Sequence, residues 1–248
     1  MTAMRLKRYP SPSGDIALGK MGVGATMLKQ GKTAKDYVQD SLIAMWDGIE
    51  NAGWGQHDAN ATTWKDLSGN NNDLVLQNGA HFDALSLISA DRNKITAKLS
   101  PDAFLAYNTI EVCAFWDETR NASALICFGN SINNARMLTA RKIDIQIRSG
   151  PYNYSIPSEL QSARNTWSAT YPAYNTQSPY VAGTLIQTTP TTNNWNYPNR
   201  PFGLSGSSNY QSYNFVGNYY CVRLYSRALT ASEIAANYAI DNERFNLP

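Results

Sequence analysis

The stretch YNFVGNYYCVRLYSRALTASEIAANYAID, residues 213–241, decides the fold. From Phe215 to Tyr225 it is apolar and aromatic, the composition of a buried strand. The chain leaves that strand through Ser226-Arg227-Ala228-Leu229 and enters a short helix at Thr230. Thr230 with Glu233 three residues on is a capping box: the hydroxyl takes an orphan helix N–H, and the carboxylate reaches back to the cap N–H. Ile234, Tyr238 and Ile240 recur at helical spacing, so one helix face packs onto a sheet. A strand closed by a capped helix states an architecture and no chemistry. The expectation is that residues 213–241 seal the fold and that any site lies in the loops before them or in the arm at the other end.

Working back along the chain, short strand patterns dominate. Residues 42–46, 73–77, 81–88, 94–99, 109–116, 124–128, 136–140 and 142–148 read as strands, with further strands near 165–170, 180–187 and 200–204. Ile110, Val112 and Ala114 share one face, and Ile143, Ile145 and Ile147 alternate with Lys142, Asp144, Gln146 and Arg148 as in a half-buried antiparallel strand. Residues 33–40 read as one or two helical turns. The 248 residues, only 16% of them charged, suit one large sandwich with many polar loops.

Charge is uneven. Seven of the 21 basic residues lie in residues 1–35, against the single acid Asp15, so a basic arm precedes a mildly acidic domain. Glycines 14, 19, 22, 24 and 31 interrupt every apolar group of that arm, and it orders only against a partner or the domain itself. The arm lacks the aromatic interleaving of a specific nucleic-acid reader, and phosphate attraction would be nonspecific. Pro10, Pro12 and Gly14 stand where a secretory leader needs an apolar run, and no stretch is long enough for a membrane span. The location expected is thus the virion, or the cytoplasm of synthesis without Sec export. Cys113, Cys127 and Cys221 have no metal spacing and read as small buried hydrophobes, with a pairing of any two left open.

Three segments carry a family resemblance. V-R-L-Y-S-R-A-L-T-x-x-E-I (residues 222–234), W-K-D-L-S-G-N-N-N-D-L (64–74) and T-I-E-V (109–112) resemble the closing strand and helix, an early turn and a core strand of the concanavalin A-like lectin/glucanase superfamily in its laminin-G-like form. Domains of this kind occur in gut bacteria and their phages. The resemblance implies an all-β fold: a two-sheet antiparallel jelly-roll sandwich over residues 41–248, with a short C-terminal helix, behind an irregular N-terminal arm over 1–40. It does not fix an activity.

It does direct attention to sugar. Aromatic faces stack on sugar C–H surfaces while amides and carboxylates meet hydroxyls, and the loops supply both types: Trp54 and His57, Trp167 and Tyr174, then Asn194, Trp195 and Tyr197. The resemblance also implies Ca2+, for which Asp66, Asn70 and Asp73 are the candidate ligands; Ser68-Gly69-Asn70 reads equally as a tight turn. Retaining glycosidases need two carboxylates about 5 Å apart. The family's glucanase pattern E-x-D-x-E meets only Asp144 here, flanked by Lys142 and Gln146. The expectation is a non-enzymatic carbohydrate-binding or adhesion module, on a surface or virion, that meets a glycan or surface polysaccharide. Two other classes stay open: a phage-particle or appendage assembly protein docked through residues 1–40 to itself or a partner protein, and a glycoside hydrolase.

Overall fold

Period-two alternation along most of the chain makes strands with one face buried, and such strands stack in two layers. The computed structural model describes residues 31–89, 96–99, 107–116, 123–128, 136–140, 144–148, 153–173, 176–190, 202–205 and 215–247. In chain order the strands are β1 (Leu42–Asp47), β2 (Thr63–Trp64), β3 (Leu74–Leu76), β4 (His81–Phe82), β5 (Leu87–Ser89), β6 (Ala97–Leu99), β7 (Thr109–Trp116), β8 (Ser123–Phe128) and β9 (Arg136–Ala140). They continue as β10 (Asp144–Arg148), β11 (Asn153–Ser155), β12 (Arg164–Ala173), β13 (Thr176–Val181), β14 (Thr184–Leu185), β15 (Thr189–Pro190), β16 (Phe202–Leu204) and β17 (Gly217–Tyr225). One helix, α1 (Ala231–Phe245), closes the chain.

The strands form two antiparallel sheets, as the sequence leads one to expect. The first has nine strands, in the order β14-β13-β12-β7-β17-β5-β4, with β1 added beside β17 and β15 beside β13; the second runs β11-β10-β9-β8-β16-β6-β3-β2. The two-sheet sandwich with its C-terminal helix is consistent with a jelly roll. Strand β17 is the spine of the first sheet. Its Tyr219, Val222 and Leu224 join Ile110, Val112 and Ala114 of β7 in the core between the sheets. Trp46 stacks on Phe202 across that core at 5.2 Å, and Trp64 meets Phe82 edge-on at 5.7 Å. Both of these indoles find a carbonyl: Trp46 Nε1 donates to Asn72 O and Trp64 Nε1 to Asp47 O, both at 2.8 Å.

The other face of β17 presents Cys221, Arg223 and Tyr225 to α1 and to residues 34–42. Residues 34–36 form one 3-10 turn, capped by Thr33, and Tyr37 beyond it is buried. This described end of the basic arm is held by side chains of α1: Val38 N donates to Asn237 Oδ1 at 3.0 Å and Tyr37 Oη to Asp241 Oδ1 at 2.7 Å.

The capping box forms as read, with Glu233 N donating to Thr230 Oγ1 and Thr230 N to Glu233 Oε2. The helix runs four residues past residue 241, to Phe245, and stops where Asn246 turns left-handed at φ 49°. Two strand readings need correction. Residues 81–88 are a hairpin rather than one strand, because Asp83 Oδ1 accepts from Leu85 N, Ser86 N and Ser86 Oγ and bends the chain. The strand read near 180 begins at Thr176 and breaks at Ala182-Gly183, both at positive φ. The start of the strand read at 94–99 lies outside the described residues, and Ala97–Leu99 remains. No helix among the described residues is long and apolar enough to cross a membrane.

Candidate glycan-binding surface

The loop from Gly48 to Thr62 joins β1 to β2 and is rich in turn formers, so its shape depends on local hydrogen bonds. Asp47 begins it: Oδ1 accepts from Ile49 N at 3.0 Å and Glu50 N at 3.1 Å. Gly48 N donates to Tyr220 O at 2.8 Å, and a Cβ there would lie 2.2 Å from Leu85 O, so only glycine lets the chain turn away from the sheet. Glu50 Oε2 accepts from Gly55 N at 2.9 Å. Buried Asn51 clasps Asp58 twice, through its amide to Asp58 O and through its Oδ1 from Asp58 N, both at 2.8 Å.

The tip thus fixed carries Trp54, Gln56 and His57. Trp54 is 37% exposed and, of the described large apolar side chains that stand out from the surface, it is the aromatic one; Leu85 and Leu185 are the others. The Lys35 ammonium lies 5.3 Å from its ring centroid. His57 Nδ1 lies 3.2 Å from both Gly48 O and Ile49 O. Carbonyls only accept, so Nδ1 carries the proton and Nε2 is the acceptor of the neutral ring.

The structure separates the other sequence-derived candidates. Trp167 is fully buried on β12 within the intersheet core, with no hydrogen-bond partner for Nε1, so it is a packing residue and cannot meet a sugar at the surface. The strand expected near 165–170 already contains it and β12 spans Arg164–Ala173; what the sequence does not show is that Trp167 sits on the face of that strand turned to the intersheet core. Tyr174, Asn194, Trp195 and Tyr197 lie outside the described residues. Asp144 is on β10, but its side chain also lies outside them.

The turn that bears Asp66, Asn70 and Asp73 does not fit calcium. Asp66 Oδ1 accepts from Met45 N and Ser68 N, and its Oδ2 from Ser68 Oγ and Asn72 N, all between 2.8 and 3.0 Å. Asp73 Oδ1 takes Asp66 N and its Oδ2 pairs with Lys65 Nζ at 2.6 Å. Asn70 Nδ2 donates to the carbonyls of Leu42 and Ile43. Calcium wants six to eight free oxygens; here the oxygens already hold the turn against β1. Gly69 at φ 86° and Asn71 at φ 59° supply the left-handed positions the turn needs. Among the described residues no three His, Cys, Asp or Glu side chains gather as a metal site.

Among the described residues a cluster of charge is buried under α1. Arg223 sits between Glu111 and Asp241, and Arg244 between Asp47 and Glu50. Burial pushes the Glu111 and Asp47 carboxyls above their usual range, against the pull of Arg223 and Arg244 respectively. Sequence reading missed this cluster because Arg223, Glu111 and Asp241 each sit in otherwise apolar surroundings, which hides them as strand and helix polar faces.

The far end of the same loop lines an open cleft of about 330 Å3 between residues 59–62 and 76–81. Its floor turns on Asn78 at φ 56° and Gly79 at φ 81°, with Ala80 N bonded to Gln77 O at 3.0 Å, the geometry of a type I′ turn. The turn carries the chain from β3 in one sheet to β4 in the other; β4 ends its sheet, and β3 lies one strand in from β2, which ends the other. The Asn-Gly pair was the signal in the sequence; what it could not convey is that the two strands it joins belong to different sheets.

A family model described as concanavalin A-like lectin/glucanases superfamily matches residues 99–235. No curated protein sequence matches the chain. Among solved structures, the Trypanosoma rangeli sialidase in complex with sialic acid is similar at TM-score 0.58 and 16% identity, over 80% of this chain and 32% of that one. The same sialidase with 2,3-difluoro-KDN gives TM-score 0.59 and 17% identity over the same shares. A mutant of it displaying trans-sialidase activity gives 0.58 and 18%, over 81% of this chain and 33% of that one. The chain therefore spans about a third of those proteins, and at such identity the likeness is one of fold. It is nonetheless a fold found within enzymes, in a superfamily that joins lectins to glucanases, and this overturns the expectation of a non-enzymatic module. The two antiparallel sheets, the strand closed by a capped helix and the matched span make this chain a member of the concanavalin A-like lectin/glucanase superfamily.

Proposed function

We propose that this chain engages carbohydrate, as the jelly-roll part of a carbohydrate-active protein, through the loop that carries Trp54, Gln56 and His57. The observation that carries the reading is Trp54: a 37% exposed indole at the tip of a loop held at its base by Asp47, Glu50 and Asn51. A ring face offers area to sugar C–H groups, and a loop already ordered loses little entropy on binding. His57 Nε2 accepts from a hydroxyl, and the Gln56 amide both donates and accepts. Family membership and the sialic acid complex of a structural neighbour support the ligand class.

A glycan array with the full chain tests it, followed by calorimetric titration of the retained glycans. Trp54→Ala should weaken binding about tenfold or more while thermal stability holds. Retention of no glycan, or the same affinity in the variant, would end the reading. The retained glycans are also incubated with the protein and assayed for released sugar.

A further inference from the structure

We infer that the cleft between residues 59–62 and 76–81 is a second sugar subsite, and that it takes an uncharged monosaccharide unit rather than an acidic one. The inference rests on the carbohydrate reading above and adds a place and a ligand class to it. Its volume, about 330 Å3, is at the small end of the roughly 300–1,000 Å3 of ligand pockets, the scale of one sugar ring left partly open to solvent.

The chemistry of the lining sets the class. None of the residues that line the cleft is Lys, Arg, Asp or Glu. A carboxylate sugar such as sialic acid loses water on entering a cleft and needs a cation or several aligned donors in return. This lining has no fixed cation to give. What it has is uncharged hydrogen-bonding groups beside small apolar surface: Asn60, Thr62 and Gln77 alternate with alanines and Leu76. Alternating amide, hydroxyl and methyl is the complement of a ring whose hydroxyls alternate with C–H.

His81 at the rim sharpens this. Its Nδ1 lies 3.1 Å from Gly79 O and so donates to it, which leaves Nε2 as an acceptor in the neutral ring. An acceptor suits a hydroxyl donor and repels a carboxylate. The cleft also lies where, among the described residues, β2 and β4 end their sheets. The structural neighbour bound to sialic acid shares the fold, and the cleft chemistry separates this chain from that ligand.

Paired neutral and sialylated versions of the same oligosaccharides, titrated into the full chain, decide the matter. The exposed Thr62→Trp fills the cleft, His81→Ala removes the rim acceptor, and Trp54→Ala addresses the neighbouring loop. Neutral glycans should bind at least tenfold tighter than their sialylated partners. Thr62→Trp should weaken that binding about tenfold, and His81→Ala about threefold, with unfolding midpoints unchanged. Tighter binding of the sialylated partner would overturn the inference, as would neutral binding indifferent to both cleft variants but lost in Trp54→Ala; in that second case the carbohydrate reading stands. Binding of neither series removes both. Should Thr62→Trp prove unfolded, perturbation of residues 59–62 and 76–81 in amide spectra titrated with a bound neutral glycan gives the same decision.

Discussion

Arg223 and Asp241 meet as a two-point pair, Nη1 to Oδ1 and Nη2 to Oδ2, both at 2.7 Å, with neither side chain reached by solvent. The guanidinium is also held from its Nε, 3.0 Å from Glu111 Oε2, and by the Tyr37 ring, 4.1 Å from its Cζ. Asp241 takes a second donor on each oxygen, Tyr37 Oη at 2.7 Å and Thr166 Oγ1 at 2.8 Å. Two strands, the helix and the described end of the arm thus converge on one fully bonded carboxylate. An ion pair this dry adds little over an apolar pair of the same shape, but breaking it strands a charge. Its effect is therefore to fix one seating of α1 on the sheet.

Asp241→Ala should accordingly be among the costliest single changes outside the intersheet core. It removes the partner of Arg223 and leaves Tyr37 and Thr166 without acceptors. The expected loss is about 3–5 kcal/mol, read from urea unfolding monitored by far-ultraviolet circular dichroism. A loss below about 1 kcal/mol would show that water enters and that the network does not hold the helix.

The same buried face protects two thiols. Cys113 and Cys221 face each other in register across β7 and β17, both free and both buried. Burial pushes each thiol well above its ordinary range, so the reactive thiolate is absent as well as hidden. Iodoacetamide at mildly alkaline pH should leave both unmodified in the native protein and modify both in guanidinium chloride, as read by peptide mass spectrometry. Native labelling of either one would show that α1 opens on the labelling timescale.

How far the sequence carried can be judged from particular residues. Val222 and Leu224 announce a buried strand, and Thr230 with Glu233 a helix start, because patterning and capping are local properties. Trp167 and Trp54 are the same residue type in loop-like company, yet one lies in the core and the other at a loop tip. Deciding between them needed the face of β12 on which Trp167 stands, because a strand in a polar, aromatic stretch has no clean alternation to say which side is buried. Asp66 looked like a cation ligand because the sequence shows its carboxylate and not the four donors that come to it from residues 45, 68 and 72. The cleft was illegible for a related reason: Leu76 belongs to one sheet and His81 to the other, while Leu76 N bonds back to Thr62 O, and no spacing encodes that arrangement.

The helix cap gives a pH-dependent signature. Arg227 and the Thr230 amide hold the Glu233 carboxyl down from its ordinary 4.5 to about 2. A depressed acid stabilises the fold above its unfolded value, and that contribution fades as pH falls from about 4.5 through about 2. The pair with Arg227 is partly solvated, so its worth is that of a surface pair, about 0.2–1 kcal/mol. Glu233→Gln keeps the capping shape and deletes the charge. The thermal midpoints of the two proteins should differ at neutrality, converge as the pH drops below 4.5 and coincide near 2. A constant difference across that range would assign the effect to shape rather than charge.

Glu50 ties the proposed sugar-binding loop to the rest of the molecule. Its Oε1 accepts from Ala34 N at 3.1 Å and Arg244 Nη2 at 3.2 Å, while its Oε2 accepts from Gly55 N at 2.9 Å, next to Trp54. One carboxylate thus joins the end of the arm, the C-terminal turn of α1 and the loop tip. Glu50→Ala removes the acceptor of two amides at once, whereas Arg244 keeps Asp47. Hydrogen exchange should therefore speed up together at Ala34 and Gly55, roughly tenfold or more, with the Leu67 amide, bonded to Met45 O, unchanged as an internal reference. Sugar affinity should fall with the exchange protection of Gly55, because a loosened tip must be ordered again on binding. Faster exchange at Ala34 alone would show that the loop holds its own shape, and that the arm and the Trp54 surface are independent.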